Sequence, residues 1–444
     1  MQIGIGIVAF LVFIVFVIVW YLVLKRSIAE AMLLGLLVCC AFSGIQNIPT
    51  TFVTSLKDAM TEDVMAAIML FTIMSSIMTQ TGIITRLVNI LNAILGRLRG
   101  GPAYVSACAS ALFGMVSGAS SANAATVGSI TIPWMRESGW SKEVAATMNT
   151  GNAGLGICIP PSSSMFLMLG LPAVAGVVEA GDLYFALLCG GLWTLVYRLI
   201  LVCYYVHKYK IPPISKDKIE PLGTALKQGG SSLAMFLGII IPLVVITGPV
   251  ATLLEGLASF GEDGVDAMNI IIWVPVLIML ICLIEGRKLL PKTLDGWAKM
   301  LLASAKQCCN CGAVSLFAMA SSNALNQTSF GEDMTTILSA LTLPKFVLIL
   351  IIGYVIALAA GPMNATSTTV SLGPVAYSAM VSVGVPPVTA IVAYLIFAST
   401  EGASPPMSSP IFVSSSIAGL NDVSVIVVYY QDRQSKQENP DKIM

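Results

Sequence analysis

Hydroxyl and amide side chains crowd two stretches in the first half of the chain. Residues 114–128 carry five of them within ten positions: Ser117, Ser120, Ser121, Asn123 and Thr126. The stretch 149–162 ends in Pro160-Pro161-Ser162. Because a proline pair lacks N–H donors and breaks a helix, it leaves carbonyl oxygens unpaired. Carbonyls beside hydroxyls would make an all-oxygen site suited to Na⁺, whereas free N–H groups at helix starts suit an anion. The alternatives are small-residue helix packing and a simple kinked helix.

Two similar stretches lie in the second half, at 361–369 and 400–408. The second of them contains Glu401, an acid placed inside an apolar segment. Burying a carboxylate within a membrane costs several kcal/mol of free energy unless the group is paired or faces a water-filled cavity, so Glu401 is a functional candidate. Glu401 could bind a cation, carry a proton or contact a substrate amine or hydroxyl. It could also be satisfied by backbone N–H groups alone.

The two halves contain the same pattern of asparagine and proline residues. Asn123 precedes Pro133 by ten residues, and Asn364 precedes Pro374 by ten. Pro160-Pro161 in the first half has its counterpart in Pro405-Pro406. Paired interrupted segments in two halves indicate a transporter with a binding site at mid-depth.

The elements that must position these residues are membrane helices. Hydrophobic residues make up 56% of the 444 positions and charged residues only 10%, against about 25% charged in soluble domains. Lys+Arg and Asp+Glu are both 23, so no basic field for nucleic acid is present. A single histidine argues against a histidine-based enzyme, and the ten cysteines lie mostly in apolar runs. We therefore expect an all-α polytopic membrane protein in the lipid bilayer, and no enzyme.

The charge pattern predicts the organisation of the chain. With the N-terminus outside, most basic loops face the cytoplasm, provided that two segments are re-entrant hairpins. The two hairpins then enter from opposite sides, which makes an inverted repeat. The predicted parts are N-terminal scaffold helices (1–62), a first repeat (63–206) with hairpin 103–135 and broken helix 143–175, a cytoplasmic linker (207–230), a second repeat (231–430) with hairpin 345–383 and broken helix 386–418, and a polar tail (431–444).

The run GRLRGGPAYVSACASALFGMVSGASSANAATVGSITIPWMRESGW, followed by GNAGLGICIPPSS, resembles the large membrane subunit of tripartite ATP-independent periplasmic (TRAP) transporters. GASPPMSSPIFVSSSIAG is similar to the second Pro-Pro motif of that family. The resemblance covers about 60 to 430. It implies an elevator-type carrier of the ion-transporter superfamily in the bacterial inner membrane. Such a carrier uses a Na⁺ gradient to import organic acids. Its implied partners are an extracytoplasmic substrate-binding protein and a small four-helix membrane subunit.

The resemblance also implies site residues. Na⁺ ligands carried over by motif are Ser117, Ser120, Gly156, Ile159 and Pro160 in the first half, and Gly361, Asn364, Gly402, Ser404 and Met407 in the second. Substrate would lie near Ser121, Asn123, Asn152, Ser162 and Thr366. The family usually has small or apolar residues where Glu401 stands, and no Arg or Lys lies in the four stretches. The alternative function is a stand-alone organic-anion carrier, coupled to H⁺ or Na⁺, with Glu401 in the coupling. A non-transporting membrane scaffold is a third hypothesis, which the paired polar breaks disfavour.

Overall fold

Helices, 3₁₀ turns and loops make up the described part of the computed structural model of this chain. It describes residues 4–20, 24, 26–61, 63–117, 120–171, 173–174, 176–213, 219–246, 250, 253, 256, 270–328, 333, 344–360, 365–403 and 409–420. Within that part of the chain no residue lies in a β-strand. The all-α class expected from composition is therefore confirmed.

Most of the described helices are separated by ten residues or fewer. In the first half they are α1 (Ile5–Ile18), α2 (Ile28–Phe42), α3 (Ile48–Thr61), α4 (Asp63–Gln80), α5 (Ile83–Leu95), α6 (Gly101–Ser117), α7 (Ser120–Glu137), α8 (Lys142–Ala153), α9 (Ser163–Leu169) and α10 (Ala180–Lys208). In the second half they are α11 (Leu222–Gly229), α12 (Leu237–Ile246), α13 (Ile270–Gly286), α14 (Leu294–Asn326), α15 (Lys345–Ala360), α16 (Ala365–Ser382), α17 (Pro387–Ala398) and α18 (Ser409–Ala418).

Several helix starts are set by the local sequence. The hydroxyls of Ser27, Ser141 and Thr293 each accept a hydrogen bond from the backbone N–H three residues later. Such N-caps satisfy donors that a helix start leaves free. Between α4 and α5 the chain turns at Gly82, whose φ of 65° is a left-handed conformation that glycine adopts at no steric cost.

The interrupted segments fall close to the predicted ranges. Helices α6 and α7 cover the expected hairpin 103–135, and α15 and α16 cover 345–383. Each broken helix has a 3₁₀ segment after its first part, at Gly154–Ile157 after α8 and at Ser399–Ala403 after α17. The tips 118–119 and 361–364 lie outside the described residues. The entry of each hairpin from one membrane side, and the inverted repeat, stay predictions.

Two groups of packed helices emerge from the contacts. In one, α14 packs against α2, α3 and α4, and α13 packs against α4 and α12. In the other, α18 from the second half packs against α7 and α8, while α17 packs against α10. The halves therefore interlock in the second group, and this group contains the interrupted segments.

Apolar helices of different lengths are present. Among the described residues, Ala180–Lys208 and Leu222–Val245 are long and apolar enough to cross a membrane, and eight shorter apolar helices of 10–17 residues accompany them. Segment 207–230, expected to be a linker, contains α11, which packs against α5 through Ala225. The outside location of the N-terminus stays a prediction.

Candidate functional site

The first broken helix is interrupted between Ala153 and Ser163. Helix α8 gives way to the 3₁₀ segment Gly154–Ile157, and residues 158–162 are not helical before α9 begins. Pro160-Pro161 lies in this non-helical part, as its missing N–H donors require. All residues from Val144 to Ser162 are buried, so the break lies inside the protein.

The second broken helix crosses the first at its own 3₁₀ segment. A Cβ on Gly154 would overlap the backbone carbonyl of Ser399. A Cβ on Gly402 would lie 2.5 Å from the carbonyl oxygen of Thr150 and 3.1 Å from the nitrogen of Gly154. Glycine is therefore required in both interrupted segments, because only a residue without a side chain permits this approach. The two breaks meet through their backbones.

The first hairpin packs against the same crossing. A Cβ on Gly114 of α6 would lie 2.6 Å from the Cα of Gly156 and 2.7 Å from Nδ2 of Asn123. The end of α6 and the first break therefore touch backbone to backbone, next to the side chain of Asn123 on α7.

Two asparagines join the hairpin to its neighbours. Asn123 Nδ2 donates to the carbonyls of Ser110 (2.9 Å) and Ala153 (2.8 Å). Asn149 Nδ2 donates to the carbonyl of Ala124 (3.0 Å) and to Oγ of Ser414 (2.9 Å). Both side chains are completely buried. Asn123 thus satisfies a carbonyl at the C-terminal end of α8, where helical donors run out.

Glu401 lies between the starts of two helices. Ser120, the first residue of α7, donates its hydroxyl to Oε2 of Glu401 at 3.0 Å. The backbone N–H of Ala365, the first residue of α16, lies close to this carboxyl group. Glu401 is 6% exposed. Its carboxyl group therefore joins the second helices of both predicted hairpins.

The remaining predicted residues are placed as follows. Ser121 and Thr366 are half-buried on the first turns of α7 and α16. Asn152 Nδ2 approaches Oγ of Ser106 at 3.4 Å, and Gly156, Ile159 and Pro160 are buried in the first break. Ser117 ends α6, and its side chain lies outside the described part, as do residues Gly361, Asn364, Ser404 and Met407.

Ser162 has a local structural role in the break. Its hydroxyl donates to the carbonyl of Ile157 at 3.0 Å and accepts from the N–H of Met165 at 3.1 Å, as the N-cap of α9. Ser162→Ala should lower the free energy of unfolding by about 1 kcal/mol, the usual effect of losing a cap. Substrate affinity should stay unchanged, which thermal unfolding and ligand titration of the purified protein can check. A large loss of affinity with unchanged stability would instead support direct substrate contact.

Oxygen atoms are in surplus around the first break. Asn123 Oδ1 and Asn149 Oδ1 are buried, and neither accepts a hydrogen bond from the described residues. Oxygen ligands suit hard cations, so this donor set fits Na⁺ better than a transition metal. Among the described residues, no group of three or more His, Cys, Asp or Glu side chains could hold a metal ion.

Arg198 and Asn149 were not among the substrate-binding or Na⁺-binding residues expected from the sequence. Arg198 lies within the long apolar helix α10 and lines a cavity of about 300 Å³ together with Ser399 and Thr400. Its Nε is buried without a hydrogen-bond partner in the described part of the chain. The positive charge of Arg198 inside an apolar span was the sequence signal that could have identified it as a candidate.

Comparison with known proteins places this arrangement in a class. The fold is similar to the solved YdaH transporter of Alcanivorax borkumensis, with a TM-score of 0.64, 13% sequence identity and coverage of 87% of this chain and 85% of that one. The structure thus has the fold of a membrane transporter. Residues 5–431 match the family model of the tripartite ATP-independent periplasmic transporter, DctM component, and the chain belongs to this family.

Curated relatives agree with this assignment. The C4-dicarboxylate TRAP transporter large permease protein DctM of Pseudomonas aeruginosa is 24% identical over 354 residues, covering 80% of this chain and 77% of that protein. The uncharacterized protein YgiK of Salmonella typhimurium is 29% identical over 174 residues, which span 39% of each chain. The resemblance inferred from the sequence motifs is therefore confirmed. Membership implies a transporter permease of the bacterial inner membrane.

Proposed function

We propose that this chain is the large membrane subunit of a Na⁺-coupled importer of a small organic acid. The observation that carries the proposal is the meeting of two helix breaks, one from each half, beside a surplus of buried oxygen acceptors. The Pseudomonas aeruginosa relative is named as a C4-dicarboxylate transporter protein, which supports a carboxylate substrate. TRAP large permeases work with a small membrane subunit and a substrate-binding protein, so we expect both as partners.

The first Na⁺ site would use Ser117, Ser120 and carbonyls near Gly156, Ile159 and Pro160. The second would use residues 361, 364, 402, 404 and 407. Bound Na⁺ would supply positive charge in a region where the four polar stretches contain no Arg or Lys. The substrate would lie between the hairpin tips, where Ser121 and Thr366 are half-buried.

Movement of one helix group against the other would give alternating access. The group with the interrupted segments would be the moving part, and the group around α14, α2, α3 and α4 would be the scaffold. The crossing at Gly154 and Gly402 supports this division, because segments in backbone contact must move together.

Replacing Ser120 should weaken Na⁺-dependent uptake. In proteoliposomes that contain the small subunit and are supplied with the binding protein, Ser120→Ala should raise the Na⁺ concentration for half-maximal uptake about tenfold, as expected for losing an interaction worth about 1.4 kcal/mol. Ser129→Ala, on the exposed side of α7, removes only an intrahelical hydrogen bond to Thr126 and should leave uptake unchanged. Equal uptake in Na⁺-free buffer without a pH gradient would contradict the mechanism.

A stand-alone carrier with Glu401 in the coupling is the second candidate. The buried contact between Ser120 and Glu401 favours it, since it places an acid at the helix starts. Uptake by the large subunit alone, driven by a pH gradient and abolished in Glu401→Gln, would support this candidate over the first. Unchanged uptake by Glu401→Gln would argue against it.

A further inference from the structure

Arg198 lies at a cavity between α10 and the second broken helix. The cavity has a volume of about 300 Å³, and its lining includes Thr194 and Arg198 of α10 together with Ser399 and Thr400 of the second break. Among the described residues that line it, Arg198 alone is charged. Because a guanidinium group stays protonated and carries five N–H donors, the cavity has a permanent positive charge.

No acid in the described part of the chain neutralises Arg198. The ion pairs found there are Arg26–Glu30 and Arg86–Glu285. Nε of Arg198 is buried without a hydrogen-bond partner among the described residues, and Cζ lies 6.0 Å from the ring centroid of Tyr197. A cation–π contact at this distance compensates only partly for removing a charge from water. The guanidinium group therefore has donors and charge available for an anion.

Several lining residues of this cavity are apolar and exposed. Trp193 is 75% exposed and Ile200 is 62% exposed, and both line the cavity together with Tyr197. Their spacing of four and three residues places them on one face of α10. Since α10 is long and apolar enough to cross a membrane, this exposed stripe lies where acyl chains can contact it.

The end of α10 nearer to Arg198 is basic. Lys208, the last residue of the helix, lies ten residues further on, which is about 15 Å along the helix axis. Its Nζ is 5.9 Å and 5.5 Å from the ring centroids of Tyr204 and Tyr209. Tyrosine and lysine side chains are typical of the headgroup level of a membrane. Arginine side chains below that level are stabilised by snorkelling and local thinning of the bilayer, which bring headgroups to them.

We propose that this cavity binds the phosphate group of an acidic phospholipid, whose acyl chains lie along the exposed stripe of α10. A phosphate matches the planar N–H fork of arginine and accepts two charge-assisted hydrogen bonds from it. Basic pockets between membrane helices bind acidic headgroups in this way. A zwitterionic headgroup would bring its ammonium group to a lining that has a positive charge and, among the described residues, no acid.

The lipid site is separate from the proposed transport sites. None of the described lining residues belongs to the proposed Na⁺ or substrate ligands. However, Ser399 and Thr400 lie in the second break, so a bound lipid would contact the interrupted segment from its membrane side. The inference therefore requires a membrane location for the chain and does not depend on the transported substrate.

Lipid titration of the detergent-purified complex of large and small subunits tests the proposal. Phosphatidylglycerol or phosphatidylcholine with identical, brominated acyl chains is added, and tryptophan quenching is measured. The contribution of Trp193 is the difference between each protein and the same protein with Trp193→Phe. The wild type should bind phosphatidylglycerol about tenfold more tightly than phosphatidylcholine, a ratio that corresponds to about 1.4 kcal/mol. Arg198→Gln should reduce this preference to about twofold or less, because charge and fork are both lost.

Two further variants separate charge from fold. Arg198→Lys keeps the charge without the planar fork, and should retain a preference between those of the wild type and Arg198→Gln. Arg287→Gln removes an exposed cation that does not line the cavity, and should leave the preference unchanged. Inorganic phosphate should not displace the brominated phosphatidylglycerol, because it lacks the acyl chains that contact the exposed stripe.

Three outcomes would overturn the lipid site. The first is equal binding of the two lipids by the wild type, or a preference that survives in Arg198→Gln. The second is displacement by inorganic phosphate, which would assign the cavity to a free anion. The third is loss of the small subunit from the complex in Arg198→Gln, seen by gel filtration, which would assign an acid of that subunit as the counterion. Na⁺-dependent uptake tests the proposed function separately.

Discussion

Gly156→Ala should abolish uptake and destabilise the protein. The new methyl group would overlap main-chain atoms of Gly114, which cannot rotate away as a flexible side chain would. The hairpin must then separate from the break, and overpacking of this kind costs up to about 3 kcal/mol. Uptake in proteoliposomes and thermal unfolding of the purified protein measure the two effects.

Gly223→Ala is the matched control for this substitution. Gly223 is exposed on α11, and no atom lies within 4 Å of its added Cβ. Because alanine favours a helix over glycine by about 1 kcal/mol, this variant should be as stable as the wild type or slightly more so. Full uptake by Gly156→Ala would show that hairpin and break do not need their backbone contact.

Asn123→Asp should destabilise the protein in the absence of any substrate. The substitution preserves shape but removes the amide that donates to Ser110 and Ala153. Whether or not the new acid is protonated, at least one buried carbonyl loses its donor, and an ionised acid would also face two carbonyl oxygens. Each orphaned group costs about 1–3 kcal/mol, so the total loss should be about 2–4 kcal/mol. Thermal or denaturant unfolding measures it.

Asn47→Asp controls for the change of side chain. Asn47 is exposed and donates a single hydrogen bond to the carbonyl of Ser43, so its replacement should change stability by about 0.5 kcal/mol or less. If Asn123→Asp unfolds like the wild type but no longer binds substrate, then Asn123 contacts the substrate as the sequence resemblance implies, and the structural role is secondary.

Glycine and proline residues explain why helix interruptions close to the observed ones could be predicted from the sequence. A hairpin was expected at 103–135, and the helices Gly101–Ser117 and Ser120–Glu137 lie over that range, while the re-entrant hairpin itself stays a prediction. Glycine and proline act on the backbone within a few residues, so their effect is visible in the sequence itself. Helix α11 within the expected linker was less visible, because a short helix between polar residues depends on packing against α5.

The contacts of the candidate site depend on residues distant in the sequence. Ser120 and Glu401 are 281 positions apart, and no helical or strand period relates them. The motif resemblance singled out Ser120, and the position of an acid inside an apolar segment singled out Glu401, but their hydrogen bond required the tertiary structure. Composition also could not separate Ser162 as a helix cap from Ser162 as a ligand, since a hydroxyl serves both purposes. Arg198 belongs to none of the polar clusters, because it stands alone in an apolar run.

The crossing of the two breaks bears on how such a protein could arise. Gly154 packs against the backbone of Ser399 in the other half, and Gly402 packs against the backbone of Thr150 in the first half, so closely that neither position has room for a Cβ atom. Neither half completes its own interruption. If the predicted repeat arose by gene duplication and fusion, an ancestor of half the length would have formed this crossing only as a pair of identical chains. Fusion would then have freed each copy to diverge, as the acid at 401 and its absence at the first break illustrate.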